Sequence, residues 1–116
     1  DETTGEELTP LAHSSSRRVF SVQTAEKLQE LLVGVVAEGT GRQAAPSEGT
    51  AAGKTGTAQT GQFRDGEELK NHWFAGFYPA EKPRWTIVVM QDAQTEPEVS
   101  SAAVFARLCD ALSAGE

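Results

Sequence analysis

The stretch that decides the fold is Gly53-Lys54-Thr55-Gly56-Thr57-Ala58-Gln59. It contains one cationic side chain, two hydroxyl side chains and one amide side chain, together with two glycines. On an extended backbone Thr55 and Thr57 point to one side, whereas Gly56 lies on the other and lets another group approach closely. An edge strand of this kind offers a carboxylate a positive charge, hydroxyl donors and free backbone N–H groups. The alternative is a strand-end turn with a solvated lysine.

A similarity to a phosphate-binding loop covers the same region. Gly49 to Thr55 reads G-T-A-A-G-K-T, but the P-loop pattern requires a glycine where this chain has Glu48, a carboxylate in the place of the phosphates. A P-loop also opens a helix, whereas the β-branched threonines that follow favour an extended chain. The sequence therefore argues against nucleotide binding.

Composition excludes several other classes of function. The chain has 116 residues and a formal net charge of −7, so we expect one domain at most and no nucleic acid as a partner. No run of 18 apolar residues and no signal peptide is visible, so no membrane contact by this segment is expected. Cys109 is the only cysteine and is interpreted as a packed hydrophobe. His13 and His72 lack the spacing of metal ligands, and no metal or cofactor is predicted.

Apolar periodicity predicts a helix near each end of the chain. Ser21 is expected to cap the first helix, which ends at Gly39 with a left-handed residue. The second helix is expected between Pro97 and about Leu112. The predicted apolar faces are Leu28, Leu31, Leu32, Val35 and Val36 in the first helix, and Phe105, Leu108, Cys109 and Leu112 in the second.

Three strands are predicted between these helices: one around Lys54, one over Asn71–Tyr78 and one over Arg84–Gln91. Residues 61–70 are charged and are interpreted as a surface loop or a hairpin connection. The last two strands are joined by a short turn, which makes them antiparallel neighbours, and both are apolar on both faces. Two helices cannot easily cover both faces, so the predicted fold is α+β, with an antiparallel sheet of three strands that belongs to a larger sheet flanked by helices.

Five motifs follow one another in a fixed order. They are Thr24-Ala25 with Leu28 and Val35-Val36, Gly39-Thr40-Gly41, the Gly53–Gln59 stretch, Trp73-Phe74-Ala75-Gly76-Phe77-Tyr78-Pro79, and Ala102-Ala103-Val104-Phe105. This succession resembles the C-terminal part of a penicillin-binding protein transpeptidase domain, most similar to the monofunctional class B type. The resemblance covers about residues 20–112, so residues 1–20 are interpreted as an irregular polar lead-in and residues 21–116 as the partial domain.

The resemblance implies a serine acyl-enzyme mechanism that needs three motifs: Ser-x-x-Lys, Ser-x-Asn and Lys-Thr-Gly. No serine here has lysine three positions on or asparagine two positions on, so only the third motif is present. The expected function is that of a fragment of a D,D-transpeptidase that cross-links peptidoglycan stem peptides and is acylated by β-lactams; alone it should be inactive. The parent is expected to be membrane-anchored and to act on the extracytoplasmic face. The alternative is a non-catalytic β-lactam- or peptidoglycan-binding sensor module.

The resemblance also implies a role for each matching residue. Lys54 would be the cation beside the nucleophile, and Thr55 would hydrogen-bond the terminal carboxylate of a D-Ala-D-Ala peptide. Gly56 would give the acyl group room, and Thr57 would supply a hydroxyl for the carboxylate and a backbone N–H for an oxyanion hole. His72 and Trp73 are candidates to line the cleft, although core packing is the more common role of a tryptophan.

The resemblance finally implies a partner for the last strand. In the family, two strands that precede the nucleophile lie beside the strand that matches Arg84–Gln91. Without them this apolar strand becomes an edge that can pair with another chain. The resemblance therefore implies either association with the missing N-terminal part of the transpeptidase domain or self-association.

Overall fold

The structure, a computed structural model, describes Thr4 and residues 15–115. Most of the predicted lead-in, including His13, lies outside the described residues. The elements are α1 (Val22–Ala37), a short 3₁₀ helix (Arg42–Ala44), β1 (Ala52–Arg64), β2 (Glu67–Tyr78), β3 (Trp85–Gln94) and α2 (Ser101–Ala114). The strands form one antiparallel sheet in the order β1-β2-β3. The predicted α+β class, with helices flanking a three-stranded sheet, is confirmed.

The charged segment between the first two strands is a hairpin, the second of the two interpretations. β1 ends at Arg64 and β2 begins at Glu67. The turn between them is Asp65-Gly66, whose φ angles are 54° and 86°. Asp-Gly favours this type of tight turn because both residues tolerate positive φ. The ladder shifts register between Gln59 and Phe63, and such a bulge bends a strand and increases its twist.

The third strand is longer than predicted. It continues past Gln91 to Gln94 because a register shift, with Ala93 at a φ of 47°, accommodates one extra residue. The side chain of Asn71 on β2 accepts a hydrogen bond of 2.9 Å from the backbone N–H of Ala93. This contact satisfies a backbone group that the regular ladder leaves unpaired at the shift.

One face of the sheet, here called the helix face, carries the core. Phe74 of β2 and Phe105 of α2 are both fully buried, and their ring centroids lie 4.7 Å apart. Ser100 caps α2 through a 3.1 Å hydrogen bond from the backbone N–H of Ala103, which fixes where the helix starts. The other members of the core cluster are Val36, Ala44, Ala51, Tyr78, Ala102 and Cys109.

The opposite face of the sheet, here called the open face, is uncovered at one end, whereas α1 lies beside Phe77 and Thr86 at the other. Trp73, Val88 and Met90 are 38%, 58% and 45% exposed. The prediction that Trp73 packs in the core is therefore wrong for the described residues, because alternation along β2 gives the core to Phe74 instead. The expectation that two helices leave part of the sheet uncovered agrees with this arrangement.

Helix α1 is capped as predicted but ends differently. Ser21 accepts a 3.2 Å hydrogen bond from the backbone N–H of Thr24. Gly39 does not adopt the predicted left-handed conformation; instead, a Cβ there would lie 3.0 Å from the backbone of Val35. The predicted apolar stripe is only partly covered, since Leu28 and Leu31 are 45% and 61% exposed.

Candidate functional site

Strand β1 carries the four predicted site residues at the edge of the three-stranded sheet. Thr55 pairs with Phe74 and Thr57 with His72, so both threonines lie on the helix face, as the alternation predicts. Lys54 and Gly56 pair with Ala75 and Trp73 on the open face. His72 and Trp73, the two candidates for the cleft wall, are therefore cross-strand neighbours of the predicted site.

The ammonium group of Lys54 stays close to its own strand. Its Nζ donates to the carbonyl oxygen of Thr55 at 3.1 Å and to the hydroxyl of Thr55 at 3.2 Å. In the described part of the chain Lys54 makes no ion pair with a carboxylate; the salt bridge found there joins Lys27 to Glu30 at 3.0 Å. Since no described carboxylate pairs with Lys54, its charge is available to an anion.

Gly53 and Gly56 differ in whether the fold has room for a side chain at their position. A Cβ at Gly53 would lie 2.6 Å from the ring of Phe74 and 2.7 Å from the carbonyl oxygen of Ala75, so packing requires glycine there. A Cβ at Gly56 would meet only the Cβ of Trp73 at 3.5 Å, which is an ordinary contact. The fold does not require glycine at position 56, and the open space beside it is accessible from outside.

A fifth residue, Thr40, joins this group and was not predicted. Its hydroxyl oxygen lies 3.4 Å from that of Thr55. The backbone N–H of Gly41 donates to the carbonyl oxygen of Val35 at 3.0 Å, which folds the turn back over the end of α1. The sequence signal is the Gly39-Thr40-Gly41 motif, which predicts a helix end and forms part of the family resemblance but does not itself assign Thr40 to the site.

The four β1 residues and Thr40 form one wall of a site rather than an enclosed pocket. A cavity of about 530 Å³ lies elsewhere, against α1, and is lined by Glu26, Gln29, Glu30, Val33, Ala80 and Glu81. A hydrogen bond from the hydroxyl of Thr50 lowers the pKa of Glu81, so this cavity is acidic and unsuited to an anion. Among Thr4 and residues 15–115, no three His, Cys, Asp or Glu side chains are grouped so that they could hold a metal ion.

Cys109 is unsuited to nucleophilic chemistry, in agreement with its interpretation as a packed hydrophobe. Its side chain is fully buried on α2. Burial, followed by the nearby charge of Asp110, raises the pKa of its thiol from 9.0 to about 11. The thiol is therefore protonated at neutral pH, whereas a reactive cysteine must be a thiolate.

Comparison with known proteins identifies the family. A profile of the family described as penicillin binding protein transpeptidase domain matches residues 7–110. The chain belongs to this family. As a member it carries the Lys-Thr-Gly part of a transpeptidase domain, on the strand whose geometry is described above.

Curated relatives of the transpeptidase family are much longer than this chain. Stage V sporulation protein D of Bacillus subtilis is 40% identical over 81 residues, which are 67% of this chain and 12% of that protein. The probable peptidoglycan D,D-transpeptidase PenA of Neisseria flavescens is 37% identical over 83 residues, which are 68% of this chain and 20% of that protein.

Solved structures contain the same fold. The transpeptidase domain of Burkholderia pseudomallei penicillin-binding protein 3 aligns with a TM-score of 0.74 and 29% identity, over 88% of this chain and 33% of that one. A peptidoglycan glycosyltransferase of Burkholderia ambifaria aligns with a TM-score of 0.73 and 27% identity, over 94% of this chain and 33% of that one. This chain therefore spans about a third of the length of these structures.

Proposed function

We propose that these residues form the Lys-Thr-Gly wall of the active site of a peptidoglycan D,D-transpeptidase. The observation that carries this proposal is the ammonium of Lys54, which is unpaired with any carboxylate of the described residues and lies 3.2 Å from the hydroxyl of Thr55. Cation and hydroxyl stand together on an exposed strand of a chain that belongs to the transpeptidase family. The match to a short part of longer relatives supports a site completed by residues outside this chain.

In the proposed reaction a serine outside these 116 residues attacks the carbonyl between the two D-alanines of a stem peptide. The terminal D-alanine leaves, an acyl-enzyme forms, and the amine of a second stem peptide takes the acyl group. Lys54 stabilises the anions that gather in the site, namely the terminal carboxylate and the developing oxyanion. A β-lactam enters the same path as a substrate mimic and leaves the serine acylated.

The remaining residues divide the binding of the peptide between them. Thr55 donates its hydroxyl to the terminal carboxylate, and Thr57 adds a second hydroxyl. The backbone N–H of Thr57 completes an oxyanion hole with the N–H of the serine. Gly56 leaves room for the acyl group, which fits the open space around its Cα. His72 and Trp73 border this group across the ladder.

The proposal also implies what covers the exposed parts of the sheet and on which side of the membrane the site lies. The uncovered residues of the open face and the outer edge of β3 would be covered by the rest of the transpeptidase domain, or by a second copy when that part is absent. Residues 21–116 are the proposed C-terminal part of that domain. Neither helix in the described part of the chain is long and apolar enough to cross a membrane. We place the site on the extracytoplasmic face, in a protein anchored elsewhere in its sequence.

The test uses the full-length protein that carries residues 1–116. It is incubated with a fluorescent penicillin and, separately, with a peptide ending in D-Ala-D-Ala. We expect a covalent adduct on a denaturing gel and by intact mass, and release of D-alanine from the peptide. Reversible binding of penicillin without an adduct would instead indicate a non-catalytic sensor module.

A further inference from the structure

We propose that Thr40 is a positioning residue that directs the hydroxyl proton of Thr55 toward the bound carboxylate. This inference rests on the proposed function, because it concerns the same binding wall. The observation is a chain of three polar groups. The Nζ of Lys54 lies 3.2 Å from the hydroxyl oxygen of Thr55, and the hydroxyl oxygen of Thr40 lies 3.4 Å from the same atom.

The argument follows from counting donors and acceptors on one oxygen. A threonine hydroxyl has one proton to donate and two lone pairs that accept. The ammonium of Lys54 can only donate, so it occupies one lone pair of the Thr55 oxygen. Either hydroxyl can be the donor in the pair between Thr40 and Thr55.

The two arrangements have opposite consequences for an anionic ligand. If Thr55 donates to Thr40, the proton of Thr55 is already used and its oxygen presents a lone pair to the carboxylate. If Thr40 donates, both lone pairs of Thr55 are occupied and its proton must point to a third acceptor. A bound carboxylate selects the second arrangement, and the 3.4 Å separation tightens on binding, as hydrogen bonds in unliganded sites commonly do.

The fold holds Thr40 at this place without using it for packing. Thr40 is exposed, whereas a Cβ on either flanking glycine would lie 3.0 Å from an atom of Val35. A Cβ at Gly41 would lie 3.0 Å from a methyl of Val35 and 3.3 Å from the ring of Phe74, which is the cross-strand partner of Thr55. The close approach of this turn to Phe74 therefore brings the hydroxyl of Thr40 to Thr55.

The test compares Thr40→Val, Thr40→Ser and the matched control Thr86→Val in the full-length protein. The control removes an exposed hydroxyl from β3, which lies at the opposite edge of the sheet from β1 and Thr55. Each variant is acylated by a penicillin with a free carboxylate and by its methyl ester. For Thr40→Val we expect acylation by the free acid to fall about tenfold, equal to about 1.4 kcal/mol. Acylation by the ester should change less than about twofold, and Thr40→Ser and Thr86→Val should resemble wild type.

A double-mutant cycle with Thr55→Val separates positioning from a structural effect. Once Thr55 has no hydroxyl, Thr40→Val should have no further effect on acylation by the free acid. Equal losses with acid and ester, additive losses in the cycle, or no loss in Thr40→Val would each overturn the role of Thr40. If Thr40→Val does not fold, Thr40→Ala is measured in its place. Failure of wild type to acylate with either compound would overturn the proposed function itself, and this inference with it.

Discussion

Thr55 of β1 and Phe74 of β2 are direct cross-strand partners. Phe74 is fully buried and packs against Phe105, so the residue whose hydroxyl we assign to carboxylate binding lies opposite one of the two fully buried rings of the core. Although the site is exposed on an edge strand, its backbone is therefore held by pairing with a strand whose side chains form the core. Preorganised polar groups of this kind are what electrostatic stabilisation of a transition state requires.

Replacing Lys54 by alanine should slow acylation sharply without unfolding the protein. In the full-length protein, Lys54→Ala should slow acylation by a penicillin about 10²–10³-fold, because one preorganised electrostatic donor contributes about 2.7–4 kcal/mol. The thermal midpoint should stay close to wild type, since the side chain is exposed. Lys82→Ala, an exposed lysine in the turn before β3, is the control. Acylation within twofold of wild type would show that the role of Lys54 is wrong.

The glycines at 53 and 56 should separate folding from function. Gly53→Ala places a methyl against the ring of Phe74 and the carbonyl of Ala75, and overpacking of this kind costs about 1–3 kcal/mol in unfolding free energy. Gly56→Ala should leave that free energy nearly unchanged and lower the acylation rate, because its Cβ occupies the space of the acyl group. Urea unfolding and penicillin labelling of both variants test the pair. Equal destabilisation would contradict the distinction.

The isolated chain of residues 1–116 should form no covalent adduct with a fluorescent penicillin. It has no Ser-x-x-Lys motif to supply the nucleophile, whatever the state of Lys54. Denaturing gel and intact mass are the measurements, with the full-length protein as the positive control. A stable adduct on a residue of this chain would show that another nucleophile operates.

The isolated chain should also associate through β3. Val88 and Met90 are exposed on an edge strand without proline, and such an edge pairs with other strands. Light scattering should therefore report species larger than a monomer, and Val88→Lys should reduce them because charge protects an edge strand. A monodisperse, cooperatively folding wild-type monomer at low concentration would show that the chain covers this strand itself.

Cys109 should make stability fall at alkaline pH. Its pKa is raised from 9.0 to about 11 in the folded chain, so the unfolded state loses the proton first as pH rises. The stabilising contribution is complete below about pH 9 and is lost as the pH passes through about 11. Urea unfolding of wild type and Cys109→Ala across this range tests the effect. In Cys109→Ala the free energy of unfolding should fall less steeply with pH between about 9 and 11 than in wild type. The same pH dependence in both proteins would contradict the assignment.

Most of the fold could be predicted because its signals are local. The sequence predicts Ser21 as the cap of α1 and the second and third strands as antiparallel neighbours, and the structure confirms both. The sequence does not predict the far end of β1, where charged residues line the hairpin, or the far end of β3, which follows a bulge. The Asp65-Gly66 pair was the overlooked signal for that hairpin.

The sequence predicts the candidate site along β1 and its cross-strand neighbours His72 and Trp73, but not beyond these two strands. The Lys54 motif is contiguous, so alternation alone indicates which side chains share a face. Thr40 is 15 positions from Thr55 in sequence, and their approach depends on how the end of α1 meets the sheet. The exposure of Trp73 was missed because an aromatic residue does not itself show which face of a strand is covered.

The bulge between Gln59 and Phe63 separates the hairpin into two segments with independent registers. The inner segment is held in place by the contact of Gly53 with Phe74, and the outer one by the turn at Asp65. Since the bulge already separates the two registers, a residue inserted or deleted near the tip should change the pairing of the outer segment only. The register of Lys54 in the inner segment should stay the same. The tip is therefore a suitable place for an engineered epitope or label that leaves the binding wall intact.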